Sequence, residues 1–333
     1  MTTRTDDFPH FRPGSPPRFT ARVDLGRSGM RGNTLIVRLV ALAAWSMPPL
    51  TLAAGEPARF AATLPFRDCD GLICIQARID GGALRTLALD TGNVVSTLPA
   101  DTARSLGWHA TPLSRAGRAI PGVRDGGSHE IALGRVRLDA HFVALERKLL
   151  GEHPPPADGT LAYTAFKDRI VQIDYPHHRL RISGPVASSA PPPAGGSLKQ
   201  VTFGRHGPPV VVGAPFEVHG HTLRAQIDTM FTGTLLVYDA ALGRLGLRKQ
   251  GTPTFFGYTD GGVNLLAAPA RPPGFAGRPL LGGRPPLYFV GTGANPVHQP
   301  DGLFEATAGN ALFAHSVVTL DFHAMTLDVR PSG

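Results

Sequence analysis

The chain is written twice. The 32 residues "ARIDGGALRTLALDTGNVVSTLPADTARSLGW" from Ala77 and the 32 residues "FEVHGHTLRAQIDTMFTGTLLVYDAALGRLGL" from Phe216 give the same order with single-residue shifts. That order is strand, turn, strand, turn, strand and short helix. Pro99 opens the first helix and Gly107 closes it, while Gly246 follows the second. Asp90 and Asp228 end the matching strands. Further along, "GVRDGG" at Gly122 to Gly127 faces "GYTDGG" at Gly257 to Gly262, each where a hairpin tip is expected, because Asp-Gly suits turns of positive φ. "DGTLAYTAFKDRIVQIDY" from Asp158 then faces "EATAGNALFAHSVVTLDF" from Glu305 without a gap, and the last strands are "RLRI" and "TLDV".

A long unit present only twice is not a solenoid. It implies two similar β-rich lobes related by a pseudo-twofold axis, which brings matched positions face to face. The strand ends carrying Asp90 and Asp228 are therefore expected to meet. The run "SGPVASSAPPPAGGS", Ser183 to Ser197, is small, proline-rich and aperiodic. It divides the chain into a first lobe at 55–182, a linker at 183–197 and a second lobe at 198–333. The 40 glycines and 32 prolines, with 17% charged residues, suit a mainly β fold of short strands and tight turns, with no long helices.

Residues 1–54 read as a signal-peptide region. Arg31 and Arg38 precede an uncharged apolar stretch from Leu39 to Gly55, with small residues at Ala53 and Ala54. The stretch is short for a membrane span and contains Pro48 and Pro49. A periplasmic or secreted protein with no stable membrane insertion after signal removal is expected, a retained anchor being the alternative. The polar, proline-bearing residues before Met30 fit poorly ahead of an export signal, so translation is expected to start at Met30. Seven of the 33 basic and three of the 25 acidic residues lie in this region, leaving 26 against 22 beyond it. No basic run is interleaved with aromatics, so no nucleic-acid partner is expected.

Cys69 and Cys74 flank the turn formers Asp70 and Gly71. A disulfide stapling a hairpin is the favoured reading over free thiols. The spacing is not CxxC, and no second Cys or Cys/His pair completes a metal site. The pairs His177 with His178 and His219 with His221 lack the helical spacing and glutamate of a zinc peptidase.

A carboxylate delivered by an apolar strand carries a high burial cost. Two carboxylates within reach of each other reduce it by sharing one proton. Such a pair has a use, since the ionised member can take a proton from a water while the protonated member polarises a carbonyl. No metal, cofactor or covalent nucleophile is required.

The residues Asp90, Thr91 and Gly92 form DTG, Asp228 and Thr229 form a second Asp-Thr, and each half has a later segment like a hydrophobic-hydrophobic-Gly element. On these residues the chain from about Arg59 to Val329 resembles the aspartic peptidases, specifically bacterial retropepsin-like proteins with two fused copies of the unit. The resemblance implies β-barrel-like lobes, each with one short helix and a flap-like hairpin, acting as a monomer on an extended peptide or protein substrate. It implies Asp90 and Asp228 as the catalytic pair, supported by Thr91, Gly92 and Thr229 through hydroxyl-to-backbone bonds between the lobes. It makes Gly126, Gly127, Tyr258, Gly261 and Gly262 flap or substrate-binding residues. Ordinary hairpin turns and a surface tyrosine are the alternative for these five.

Three positions depart from the pattern. Met230 replaces the second motif's glycine, at a cost of roughly 1 to 2 kcal/mol if the position needs positive φ or a close backbone approach. Ala162 replaces the glycine after Thr160 and Leu161, whereas Gly309 is kept after Thr307 and Ala308. Asn93 stands where a small residue is more usual. A non-catalytic peptide-binding module, and aspartates that bond only at a lobe interface, are the alternatives these departures leave open.

Overall fold

The first copy's strands close on themselves. A computed structural model describes residues 60–115, 117–150, 154–185, 196–197, 199–202, 210–248, 250–256, 263–269, 273–280, 287–291 and 304–331. Its eight-stranded sheet runs in the spatial order Arg67–Cys69, Leu72–Ile79, Leu84–Asp90, Gly159–Ala162, Ser96–Pro99, Val136–Leu145, Arg118–Leu133, Thr111–Arg115. Leu72–Ile79 also pairs with Arg118–Leu133, placing Arg78 opposite Ala132 and Ile79 opposite Ile131. Six strands thus form a closed ring, which leaves few free edges and gives the barrel-like lobe. Ile75, Leu87, Leu89, Leu98, Ile131 and Phe142 are buried in its core.

The second copy repeats that order with Val210–Val218, His221–Ile227, Ala306–Ala308, Leu235–Val237, Leu287–Gly291, Val263–Pro269 and Gln250–Phe256. The parallel pairings recur as well. Leu84–Asp90 beside Gly159–Ala162 corresponds to His221–Ile227 beside Ala306–Ala308. Each copy has its short helix, Ala100–Ser105 after Pro99 and Asp239–Leu245 before Gly246.

A third sheet belongs to both copies. Its order is Phe60–Pro65, Arg179–Ser183, Ile170–Asp174, Ser316–Asp321, Thr326–Pro331, Gly196–Ser197. The central antiparallel pair sets Ile170 opposite Asp321 and Asp174 opposite Val317. In the repeat Ile170 matches Val317 and Asp174 matches Asp321, so exchanging the copies maps the pairing onto itself. That is the signature of a twofold interface, here within one chain. Val171 opposite Leu320 and Ile173 opposite Val318 are all buried.

The structure corrects several expectations. Ser183 and Gly196–Ser197, the ends of the expected linker, are strand residues of the shared sheet, and residues 186–195 lie outside the described residues. The strand Leu84–Asp90 is buried on both faces at its end, at Leu87, Ala88, Leu89 and Asp90. "DGG" at Asp125 to Gly127 is not a hairpin tip. The 16-residue strand Arg118–Leu133 runs straight through it, and the hairpin turns between Arg115 and Arg118 instead. Gly127 uses its positive φ of 86° in a β-bulge, where the register against Val136–Leu145 shifts and Asp125 Oδ1 accepts the Gly127 N–H at 2.9 Å. Asp-Gly chemistry thus served a bulge rather than a turn. The "DG" that does turn a hairpin is Asp70-Gly71, between Arg67–Cys69 and Leu72–Ile79, and the disulfide Cys69–Cys74 closes it. The 1–54 region lies outside the described residues.

Because both copies feed one sheet, they are expected to unfold together. Ile173→Ala should cost about 2–4 kcal/mol in denaturant unfolding and leave a single transition; two separated transitions would show that the copies fold independently.

Candidate active site

The strands Leu84–Asp90 and His221–Ile227 each lie between an antiparallel and a parallel neighbour, so their C-terminal ends are fixed from both sides. Asp90 stands beside Ala162 in that register, and the Asp228 N–H donates to the Ala308 carbonyl at 3.0 Å. Beyond each aspartate a short loop leads back into Ser96–Pro99 or Leu235–Val237.

The two loops grip each other through the threonines. The Thr91 N–H donates to Thr229 Oγ1 at 3.0 Å, and the Thr229 N–H donates to Thr91 Oγ1 at 3.1 Å. The Thr91 hydroxyl donates to the Ile227 carbonyl at 2.9 Å, and the Thr229 hydroxyl donates to the Leu89 carbonyl. Both threonines are buried. Each hydroxyl accepts one bond and donates one, so four backbone groups next to the carboxylates are satisfied across the pseudo-twofold axis.

Those bonds bring the carboxylates to one place. A Cβ on Gly92 would stand 2.6 Å from Asp228 Oδ1 and 2.7 Å from Oδ2, so only glycine lets the first loop lie against the second carboxylate. The same Gly92 donates its N–H to Asp90 Oδ1 at 3.1 Å. Asp90 is buried, whereas Asp228 keeps partial exposure.

Both carboxyls are pushed above the ordinary carboxylate range. For Asp90 the first cause is burial and the second is the Asp228 charge; the backbone N–H groups of Gly92 and Asn93 and the Asn93 side chain pull the other way. Burial also raises Asp228, opposed by the N–H groups of Met230 and Phe231. The arrangement therefore favours the protonated form of each carboxyl more than a surface position would.

Met230 takes its place without the positive φ that the sequence left possible. Neither Gly92 nor Met230 has positive φ. The Met230 N–H donates to Asp228 Oδ1 at 2.8 Å, as Gly92 does to Asp90. What glycine supplies at position 92 is closeness to the opposite carboxylate, not a special dihedral. Gly309 is constrained in the same steric way, since a Cβ there would stand 2.5 Å from the Gly233 carbonyl oxygen. Ala162 holds the matching place in the first copy, buried, with its N–H on Ser96 Oγ at 3.0 Å.

Two site residues were missed in the sequence. The Gln226 amide donates to the Gly92 carbonyl at 2.8 Å, adding a further tie across the axis. Its signal was "AQID" facing "LALD", a polar residue where the other copy has Ala88. Buried Asn310 donates to the carbonyls of Thr229 at 2.7 Å and Gly71 at 2.8 Å, and accepts the Tyr175 hydroxyl at 3.0 Å. It joins the disulfide hairpin to the second loop. Asn310 faces Tyr163 in the repeat, another unmatched pair.

The residues expected in flaps divide. Gly126 and Gly127 lie on the bulge of Arg118–Leu133, and the hairpin that this strand forms with Thr111–Arg115 is at the edge of the first copy's sheet. Val263–Pro269 pairs antiparallel with Gln250–Phe256, but Tyr258, Gly261 and Gly262 lie outside the described residues. Among the described residues no group of three or more His, Cys, Asp and Glu side chains is placed to hold a metal ion.

No protein-family model matches the chain, and no curated protein matches it. Among solved structures it is similar to an aspartic proteinase from Irpex lacteus, with a TM-score of 0.45 and 10% sequence identity over 82% of this chain and 97% of that one.

The raised carboxyls make stability fall with pH. Below the ordinary value of 3.8 both the folded and unfolded chains hold the protons; above it only the folded chain is penalised for releasing them. Asp90→Asn, which imitates the protonated acid, should melt higher than the wild type at pH 7.5, with the gap closing toward pH 3.5. A gap that widens on acidification would mean that Asp90 is stabilised as its anion.

Proposed function

We propose that this chain is an aspartic endopeptidase in which Asp90 and Asp228 share one proton around a water and hydrolyse an extended peptide. The observation that carries the proposal is the reciprocal threonine bonding that sets Gly92 against Asp228 and so brings the two carboxylates together.

The chemistry follows from the pair's electrostatics. The ionised carboxylate takes a proton from the water as its oxygen attacks the scissile carbonyl carbon. The protonated carboxyl donates to the carbonyl oxygen, on which negative charge develops. As the tetrahedral intermediate collapses, the C–N bond breaks and a proton held by the pair passes to the leaving nitrogen. The two titrations belong to the pair rather than to either residue.

Thr91 and Thr229 hold the carboxylates in place through the backbone, and Gly92 provides the close approach. The hairpin formed by Thr111–Arg115 and Arg118–Leu133 is the arm expected to act as a flap, with a strand at the sheet edge that an extended peptide could pair with. The reading includes an exported monomer, because residues 1–54 have the pattern of a signal and one chain supplies both aspartates.

The test is peptide-library cleavage from acid to neutral pH. The wild-type chain should cleave, Asp90→Asn should lose essentially all activity, and Met230→Gly should keep or increase it. Cleavage that survives Asp90→Asn refutes the paired-aspartate mechanism; peptide binding without cleavage by any form makes the chain a binding module. A large loss in Met230→Gly would show the methionine to be a working part of the site.

A further inference from the structure

The bulge that displaced the expected hairpin tip is held by an unusual arrangement of side chains. His129, one residue beyond Ser128 on the same strand, is largely buried. Its Nδ1 lies 2.6 Å from Asp80 Oδ2, and its Nε2 lies 2.8 Å from the Gly126 carbonyl oxygen. Its ring stacks on Trp108 at 3.6 Å between centroids, with the planes 11° apart.

Both nitrogen partners are acceptors. A carboxylate and a carbonyl oxygen each need an N–H, and a neutral imidazole has only one. The geometry is satisfied on both sides by the imidazolium alone, and an indole face is a favourable surface for that cation. Asp80 is well placed as its counter-charge. It sits in the turn between Leu72–Ile79 and Leu84–Asp90, accepts the Glu130 N–H at 3.1 Å and donates its own N–H to the Glu130 carbonyl at 2.9 Å. That turn belongs to the strand pair that ends in Asp90.

Further charged groups lie on the same strand and its neighbour. Glu130 pairs with Arg137 at 3.4 Å, and Asp139 stands opposite Glu130 on the next strand. On that strand His141 Nε2 lies 3.0 Å from Asp125 Oδ1, the oxygen that also accepts the Gly127 N–H. The bulge is therefore gripped twice, by His129 at Gly126 and by His141 through Asp125.

We propose that His129 is a positioning residue for the arm: as an imidazolium it ties the Gly126 bulge to the Asp80 turn, and loss of its proton releases the bulge. The consequence for substrate rests on the reading of that arm as the flap of a peptidase; the clamp itself does not. Histidine is the side chain that changes charge between about pH 5 and 8. The arm is held while the ring is protonated and loosens once the ring is neutral.

The chain has two tryptophans, Trp45 and Trp108, so the full chain carrying Trp45→Phe reports on Trp108 alone. Its emission should be quenched in one step on acidification, as the stacked ring becomes a cation. The step should vanish in His129→Gln and persist in His141→Gln. Amide exchange across 118–133, corrected for the intrinsic effect of pH, should be slower at pH 5 than at pH 8 in the wild type and lose that difference in His129→Gln. If peptides are cleaved, KM should rise with the same step in the wild type and lose that step in His129→Gln, with kcat at a given pH little changed by the substitution. A Trp108 emission that does not titrate, or a step that survives His129→Gln, overturns the proposal. Should His129→Gln fail to fold, the wild-type exchange alone decides, since equal protection at both pH values would contradict the clamp. Failure of the peptidase reading removes only the KM arm and leaves the emission and exchange results standing.

Discussion

The exchange of hydrogen bonds between Thr91 and Thr229 is the constraint on which the rest of the molecule turns. Each hydroxyl reaches across the pseudo-twofold axis to one N–H and one carbonyl of the other copy, and all of these groups are buried. A buried backbone group without a partner costs about 1–3 kcal/mol, so the two loops cannot separate cheaply. The shared sheet fixes the same axis elsewhere, through the pairing of Ile170–Asp174 with Ser316–Asp321. Between these two ties the ends of Leu84–Asp90 and His221–Ile227 have little freedom, and their carboxylates must be neighbours.

Being neighbours changes their chemistry. Two unit charges about 4 Å apart at an effective dielectric near 20 repel by about 4 kcal/mol. Keeping a proton on an ordinary carboxylate at pH 7 costs about the same. For Asp90 burial and the Asp228 charge act in the same direction, and burial is the leading cause of the upward shift at both aspartates. The loop N–H groups limit the effect, because those of Gly92 and Met230 each stabilise the anion of their own aspartate. Opposing influences thus act on the same two carboxyls, the condition under which one can serve as an acid and the other as a base toward one water.

Much of this was legible because duplication is a signal that survives in a single chain. The repeat placed Asp90 opposite Asp228, and the two helices and the Cys69–Cys74 hairpin could be read from Pro99, Gly246 and Asp70-Gly71. What escaped were matters of context. "DGG" at Asp125 carries the same local preference whether it turns a hairpin or bulges a strand, and only the 16-residue strand on either side decides between them. The shared sheet is built from strands that each look ordinary and reveal their partners only in three dimensions. The sequence left two reasons for a glycine in the motif, positive φ or a close approach, and at Gly92 it is the second that applies, the absence of a Cβ beside Asp228. Gln226 and Asn310 were visible only as mismatches between the copies, and such a mismatch does not say what the odd side chain will bond.

The most direct measurement of the shared proton is a carboxyl-carbon NMR titration of the two aspartates in the full chain, assigned by Asp90→Asn and Asp228→Asn. Two coupled steps should appear, seen together at both residues, with the upper one well above the ordinary carboxylate range. Two independent titrations near the ordinary value of 3.8 would contradict the account, since the carboxylates would then neither be buried together nor hold a proton between them.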